Sequence, residues 1–258
     1  MLETTDTRRT HMMTLRSTNS KLRASSYMNR MYGRDAKALW EKVPQAPHLR
    51  GYVHLVLALI SPLLILWLMK CIIVKDYYPE YIVAFVCCIL NFAASATLHY
   101  SRWNLNSLDL CLKADYAFIF LMIGGSATPA TIAVTNDDLS VLTTLIQWIG
   151  ISIGTVGALA FRFVTASPAL RVIVYFAAGS PYVQLCRNLY KMKCFIGLLP
   201  SCMTLVIYML GGVVYAKRAP NPIPKYVGFH EVFHMCCALA LVTTFIGNHK
   251  ITTFLNVM

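Results

Sequence analysis

Seven long apolar stretches take up most of this chain, and they constrain its fold more than any other feature. A helix needs about 20 mainly apolar residues to cross the hydrocarbon core of a bilayer. Short polar segments separate the stretches, so neighbouring helices must pack together. The stretches are Val53–Val74, Tyr81–His99, Ala114–Val134, Leu139–Phe161, Val172–Cys186, Cys194–Ala216 and Phe229–Asn248. The pattern predicts an all-α, polytopic membrane protein in which seven transmembrane helices form one bundle.

The composition agrees with a membrane protein. Of the 258 residues, 57% are hydrophobic and 13% are charged, whereas a soluble domain has about 25% charged residues. These values argue against a soluble single-core protein, a disordered chain and a collagen-like fibre. Nine cysteines fall mostly inside the apolar stretches, and the sequence has no C-x-x-C motif. We therefore expect neither a disulfide framework nor a thiolate zinc site.

The basic residues are concentrated near the N-terminus. The chain has 23 Lys and Arg against 11 Asp and Glu, which gives a formal net charge of +12. Residues 1–50 contain ten of the basic residues and four of the acidic ones, and they contain no apolar run. We predict a mostly disordered cytosolic tail over residues 1–50 and a membrane domain over residues 51–258. The charge then reflects topology, and no nucleic acid is expected as a partner.

The distribution of Lys and Arg between the loops predicts the orientation. Cytosolic loops of membrane proteins carry an excess of these residues. With the N-terminus inside, the inside segments hold 17 basic residues, and the remaining six are five on the outside segments and Lys70 near the outer end of the first stretch. We therefore predict a cytosolic N-terminus and an external C-terminus. Glu3 and Asp6 are atypical of a mitochondrial transit peptide, so a plasma membrane or endomembrane location is favoured over a mitochondrial one.

A few ionisable side chains interrupt the apolar stretches, where such groups are costly and by default indicate function. They are His54, His99, Asp115, His230, Glu231 and His234. His54 begins the first stretch, so we expect it at the membrane interface. His99 ends the second stretch, and Asp115 begins the third. His230 and His234 begin the seventh, so the predicted orientation puts these side chains at the cytosolic ends of their helices.

The seventh stretch opens with an H-E-x-x-H pattern, His230-Glu-Val-Phe-His234. Two histidines four residues apart lie on one face of a helix, so both rings can reach one metal ion. By itself the pattern leaves a metal site and a polar helix start as alternatives. His99 adds a third histidine at the same depth, and three histidines with an open fourth position are typical of catalytic zinc. Ser95, one turn before His99, lies on the same helical face, where it can bond a water molecule or a substrate oxygen.

Three segments together resemble a known family. Ser95-Ala-Thr-Leu-His99 matches an S-x-x-x-H motif, and the stretch led by Asp115 closes with Gly125-Ser-Ala-Thr-Pro. Gly228-Phe-His230-Glu-Val-Phe-His234 matches an H-x-x-x-H motif. In this order the segments resemble the progestin and adipoQ receptor family, which includes the bacterial hemolysin III proteins. The resemblance covers about residues 45–250, with Tyr116 standing where many hemolysin III-like members have histidine.

The resemblance implies both a fold and a site. It implies seven helices with the N-terminus inside, and a zinc ion, Zn2+, held by His99, His230 and His234. It also implies that Asp115 and Ser95 lie beside the zinc-bound water. Some members of the family show ceramidase activity, others are described as steroid-responsive receptors, and bacterial members are described as haemolysins.

Three functions therefore compete, and membrane lipids are partners in all of them. The first is zinc-dependent hydrolysis of a lipid amide such as ceramide, with Asp115 as the base that activates water and then protonates the leaving amine. Glu231 is a weaker candidate because it points about 100° away from His230, where we expect it to pair with a cation. The second is a signalling receptor with a structural zinc and a lipid or steroid ligand. The third is a lytic protein, which is disfavoured because no continuous polar stripe follows the spans.

Overall fold

The computed structural model describes residues 49, 51–60, 78–100, 105–135, 138–160, 163, 166–223 and 225–257. The regular structure of these residues is helical, apart from one β-bridge between Ile223 and Val227. Except at Leu49, the predicted tail over residues 1–50 lies outside the described residues. So do residues 61–74 of the predicted first span.

Eight helices make up the described part of the chain. Helix α1 comprises residues 52–60, at the start of the predicted first span. The remaining helices are α2 (Tyr78–Tyr100), α3 (Leu105–Ala133), α4 (Asp138–Ala160), α5 (Pro168–Gly179), α6 (Pro181–Lys191), α7 (Phe195–Lys217) and α8 (Phe229–Leu255).

Helices α2, α3, α4, α7 and α8 are each long and apolar enough to cross a membrane, and the pair α5 and α6 is a sixth candidate if the two form one bent span. This count covers only the described residues. The eight cysteines among them are all free, as expected for cysteines in apolar helices. The observed architecture is that of an all-helical, multi-pass membrane protein.

Helix α3 begins earlier than the apolar pattern predicts. The predicted span starts at Ala114, whereas the helix starts at Leu105. The additional turns are polar on one side, where Asp109 and Lys113 form an ion pair with 2.9 Å between their charged atoms. An ion pair between residues four apart supports a helix without adding hydrophobicity, so an apolar window does not detect it.

The predicted fifth span, Val172–Cys186, is two helices instead of one. Helices α5 and α6 meet at Ser180 with a bend of 40°. Pro181 is the first residue of α6, a position at which the missing backbone N–H costs little. The proline therefore starts a new helix and prevents the continuation of α5.

Helix α3 is the centre of the bundle, because it packs against α2, α4, α5, α6 and α8. Its contact with α2 is especially close at Gly125, where an added Cβ would lie 2.4 Å from the Cβ of Cys87. Small residues at helix crossings let backbones approach in membrane proteins. This crossing fixes α2, which carries Ser95 and His99, against α3, which carries Asp115.

Among the helices that the structure describes, α4 lies at the edge of the bundle, and these helices leave most of its surface uncovered. Large apolar side chains are exposed along it, including Leu142, Ile146, Ile149 and Ile153. A contiguous apolar surface of this kind is unfavourable in water but matches lipid chains. The polar functional residues consequently lie on the inner helices.

Candidate metal centre

The candidate site lies at one end of the bundle, where α2 ends and α3 and α8 begin. His99 is the last residue but one of α2, and His230 is the second residue of α8. The start of α8 is fixed by Glu231, whose Oε2 accepts a hydrogen bond of 2.8 Å from the backbone N–H of Gly228. A carboxylate at a helix N-terminus satisfies a free backbone donor and complements the helix dipole.

Three histidine side chains meet at this end. One nitrogen from each of His99, His230 and His234 lies within 4.8 Å of the corresponding nitrogens of the other two. The Nε2 atoms of His99 and His230 are 3.2 Å apart. The ring of His234 is 4.3 Å from that of His230, centroid to centroid. His99 is more than 130 positions from the other two in the sequence, yet the three histidines form a compact group, close enough to bind a metal ion.

The spacing of the His99 and His230 nitrogens fits a tetrahedral metal. Nitrogens bound at about 2.0–2.1 Å in a tetrahedron are about 3.3 Å from one another. The 3.2 Å separation of the His99 and His230 Nε2 atoms agrees with that value. Imidazole is a common ligand for zinc, copper, iron and nickel, so the donor set fits a transition metal better than magnesium or calcium.

Asp115 and Ser95 form a second polar pair next to the histidines. Both are buried, and the Ser95 side chain lies next to the Asp115 carboxyl group. Ser95 is one helical turn before His99, so this pair borders the histidine group. The Asp115 carboxylate is not one of the clustered ligand atoms. It therefore lies outside the group of three.

Glu231 has a role in the structure that the sequence did not predict. Its side chain is buried and bonds the Gly228 backbone. Capping the first turn of α8 is sufficient reason for an acidic residue at this position.

The sequence pattern does not indicate a buried arginine that lies at this end of the bundle. The predicted fifth span begins at Val172, so Arg171 counted as a loop residue, but it lies within α5 and is only 6% exposed. Its guanidinium carbon is 4.8 Å from the ring centroid of Tyr116 and 5.8 Å from that of Tyr215. The hydroxyl of Tyr175 donates a hydrogen bond of 2.9 Å to the Tyr116 carbonyl oxygen.

These residues connect the two parts of the site. Tyr116 follows Asp115 directly, and the ring of Tyr215 is 6.3 Å from that of His230. Arg171 thus places a positive charge next to residues that border both Asp115 and the histidines. The sequence does signal that Arg171 is helical, because it follows a Ser-Pro helix start at Ser167 by four residues, but not that it faces the site.

His54 also belongs to this end of the bundle. It is buried, with an exposed fraction of 5%, so its side chain faces other residues of the protein. Its Nε2 is 2.8 Å from Nδ1 of His234. A fourth histidine therefore touches the group of three.

A comparison with protein families agrees with these observations. The family model described as haemolysin-III related matches residues 44–245, which include every residue of the site described above. The match covers most of the chain. This chain therefore belongs to the haemolysin-III related family.

Proposed function

We propose that this protein is a zinc-dependent hydrolase of a lipid amide, with ceramide as the substrate class. The observation that carries the proposal is the group of three histidines bordered by a buried carboxylate at one end of a membrane helix bundle. Three histidine ligands leave a tetrahedral metal one open position, as in catalytic zinc sites. Among the residues that the structure describes, these three histidines form the group that can hold an ion.

The proposed residues have distinct tasks. His99, His230 and His234 hold the ion through one nitrogen each. A zinc ion held there supplies a Lewis acid for activating water and polarising a carbonyl. Asp115 removes a proton from the attacking water and delivers it to the amine nitrogen as the C–N bond breaks. Ser95, beside the carboxyl group, keeps Asp115 oriented toward the site.

Arg171 extends the site toward the substrate. Its guanidinium is held against tyrosine rings next to the Asp115 segment. A buried guanidinium is a strong donor to a carboxylate. Amide hydrolysis produces a fatty acid, so this charge matches the product and the negative charge that develops at the carbonyl.

The membrane arrangement belongs to the same proposal. We propose seven spans with a cytosolic N-terminus in a plasma membrane or endomembrane. This orientation is supported by 17 basic residues on the predicted inside segments, against five on the outside segments and Lys70 near the outer end of the first stretch. A ceramide-like substrate would then enter from the bilayer, where its chains already lie. The active site would lie near the cytosolic face.

The test is a comparison of purified wild type with Asp115→Asn. Both are assayed for zinc content and for release of fatty acid from a short-chain ceramide in detergent. We expect hydrolysis to fall by about 10²–10⁴-fold while zinc content is unchanged, because a general base contributes that factor. Glu231→Gln is the matched control, since its carboxylate caps a helix, and its hydrolysis should remain near that of the wild type.

Three outcomes would contradict the proposal. An Asp115→Asn variant as active as the wild type would exclude Asp115 as the general base and contradict the proposed mechanism. A wild type that holds zinc but hydrolyses no lipid amide, and that responds to a steroid, would favour the receptor alternative. Dye leakage from liposomes containing only protein and lipid would favour the lytic one.

A further inference from the structure

His54 is the buried histidine that the proposed function leaves without a task. It lies in α1 and packs between two other helices. Its ring centroid is 5.6 Å from that of Phe92 on α2 and 4.0 Å from that of His234 on α8. Its Nε2 faces Nδ1 of His234 at 2.8 Å, which is a hydrogen-bond distance.

This contact determines which nitrogen of His234 is available to a metal. Nδ1 is occupied by His54, so Nε2 is the nitrogen that can coordinate. A coordinating Nε2 carries no proton, so a neutral His234 ring must carry its proton on Nδ1. The proton is then donated to His54, whose Nε2 must be the acceptor. The opposite direction would place a proton on Nε2 of His234 and block coordination.

We infer that His54 is a positioning residue for the metal centre: it accepts the Nδ1 proton of His234 and thereby fixes both the tautomer and the ring orientation of this ligand. Metal-binding histidines usually donate their second N–H to such a partner, which also strengthens the metal bond. The inference rests on the proposed function, because it requires that the three histidines bind a metal.

The backbone just before His54 supports this arrangement. Gly51 has a φ of +82°, and a Cβ at this position would lie 2.7 Å from the Cβ of His99. The backbone N–H of Leu49 donates to the carbonyl oxygen of Tyr226, in the segment before α8. The segment that carries His54 is therefore fitted against the helix ends that carry His99 and His234.

Two variants separate acceptance of the proton from filling of space. His54→Leu fills the position but accepts no hydrogen bond, whereas His54→Gln keeps an acceptor oxygen in place of Nε2. Zinc affinity is measured on purified protein by competition with a chelator of known affinity. Cobalt(II) is then bound in place of zinc, and its visible spectrum reports the ligand geometry. Melting temperatures of the metal-free proteins show whether the substitutions alter the fold.

We expect His54→Leu to bind zinc about 10–100-fold more weakly than wild type, the usual cost of removing such a partner. Its cobalt spectrum should change, while the metal-free melting temperature stays close to that of wild type. His54→Gln should restore both the affinity and the spectrum. Equal zinc affinity and spectrum in wild type and His54→Leu would overturn the inference.

A measurement on the wild type covers the case in which His54→Leu does not fold. Zinc-loaded protein labelled with ¹⁵N in its histidine rings should carry the His234 proton on Nδ1 and have an unprotonated His54 Nε2. A proton on Nε2 of either ring would overturn the inference. If the wild type binds no zinc at all, the proposed function fails. If it binds zinc without dependence on His54, only this inference fails.

Discussion

The crossing of α2 and α3 at Gly125 positions the site, and the substitution Gly125→Ala tests it. The new methyl group would lie 2.4 Å from Cβ and 2.6 Å from Sγ of Cys87. Carbon atoms pack at about 3.5–4.0 Å, so the two helices must move apart by about 1 Å. Overpacking of this size costs about 1–3 kcal/mol. The intrinsic helix preference of alanine over glycine offsets only part of this cost, about 1 kcal/mol.

The assay is equilibrium unfolding in mixed detergent micelles, followed by tryptophan fluorescence. Gly150→Ala is the matched control, because an added Cβ there has no atom within 4 Å. We expect Gly150→Ala to stabilise the protein by about 0.5–1 kcal/mol and Gly125→Ala to destabilise it. The double variant Cys87→Gly with Gly125→Ala removes both clashing atoms and should recover about 0.5–3 kcal/mol as a coupling term.

The same substitution should affect the chemistry. Separation of α2 from α3 moves Ser95 away from Asp115, so hydrolysis should decrease more than zinc content, since the histidines lie on α2 and α8. A Gly125→Ala protein as stable as the Gly150→Ala control would refute the close helix crossing and the reasoning built on it.

Three further predictions concern the site. Arg171→Met should raise the KM for a lipid amide by about 10–100-fold, which is the factor expected for a lost hydrogen bond to a charged group, and its zinc content should not change. An unchanged KM, measured by steady-state kinetics, would exclude contact between Arg171 and the substrate. Glu231→Gln keeps an acceptor oxygen for the Gly228 N–H but removes the negative charge at the helix start, so it should lower the free energy of unfolding by about 0.3–1 kcal/mol with unchanged zinc content. Loss of zinc would instead make Glu231 part of the metal centre. Metal removal by a chelator should abolish hydrolysis, and Zn2+ but not Mg2+ should restore it, because imidazole nitrogens bind Zn2+ far better than Mg2+. Recovery with Mg2+ would contradict the assigned ligands.

Much of the fold followed from the sequence because apolar length is a strong signal in a membrane protein. Helices α2, α4, α7 and the start of α8 are close to their predicted bounds. The differences arose where stability does not come from hydrophobicity. The first turns of α3 depend on the Asp109–Lys113 ion pair, and the break between α5 and α6 depends on Pro181.

The histidine group could be predicted because two of its members share a helical face and the third ends a span at the same side of the membrane. The roles of His54 and Arg171 could not. Each lies at the edge of an apolar stretch, where the sequence pattern does not distinguish a buried residue from one in a loop or at an interface. Only the packing of α1 against α8, and of α5 against α3 and α7, shows that these side chains face the site.

The zinc content of the protein is the direct test of whether His99, His230 and His234 hold a zinc ion. Purified wild type, the double variant His99→Ala with His230→Ala, and the control His249→Ala are measured by elemental mass spectrometry. His249 lies on α8 about 22 Å along the helix from His234, so it should not affect the site. We expect about one zinc per chain in the wild type and the control, and none in the double variant. A wild type without zinc after expression in zinc-replete medium, or a double variant that retains zinc, would contradict the proposed three-histidine zinc site.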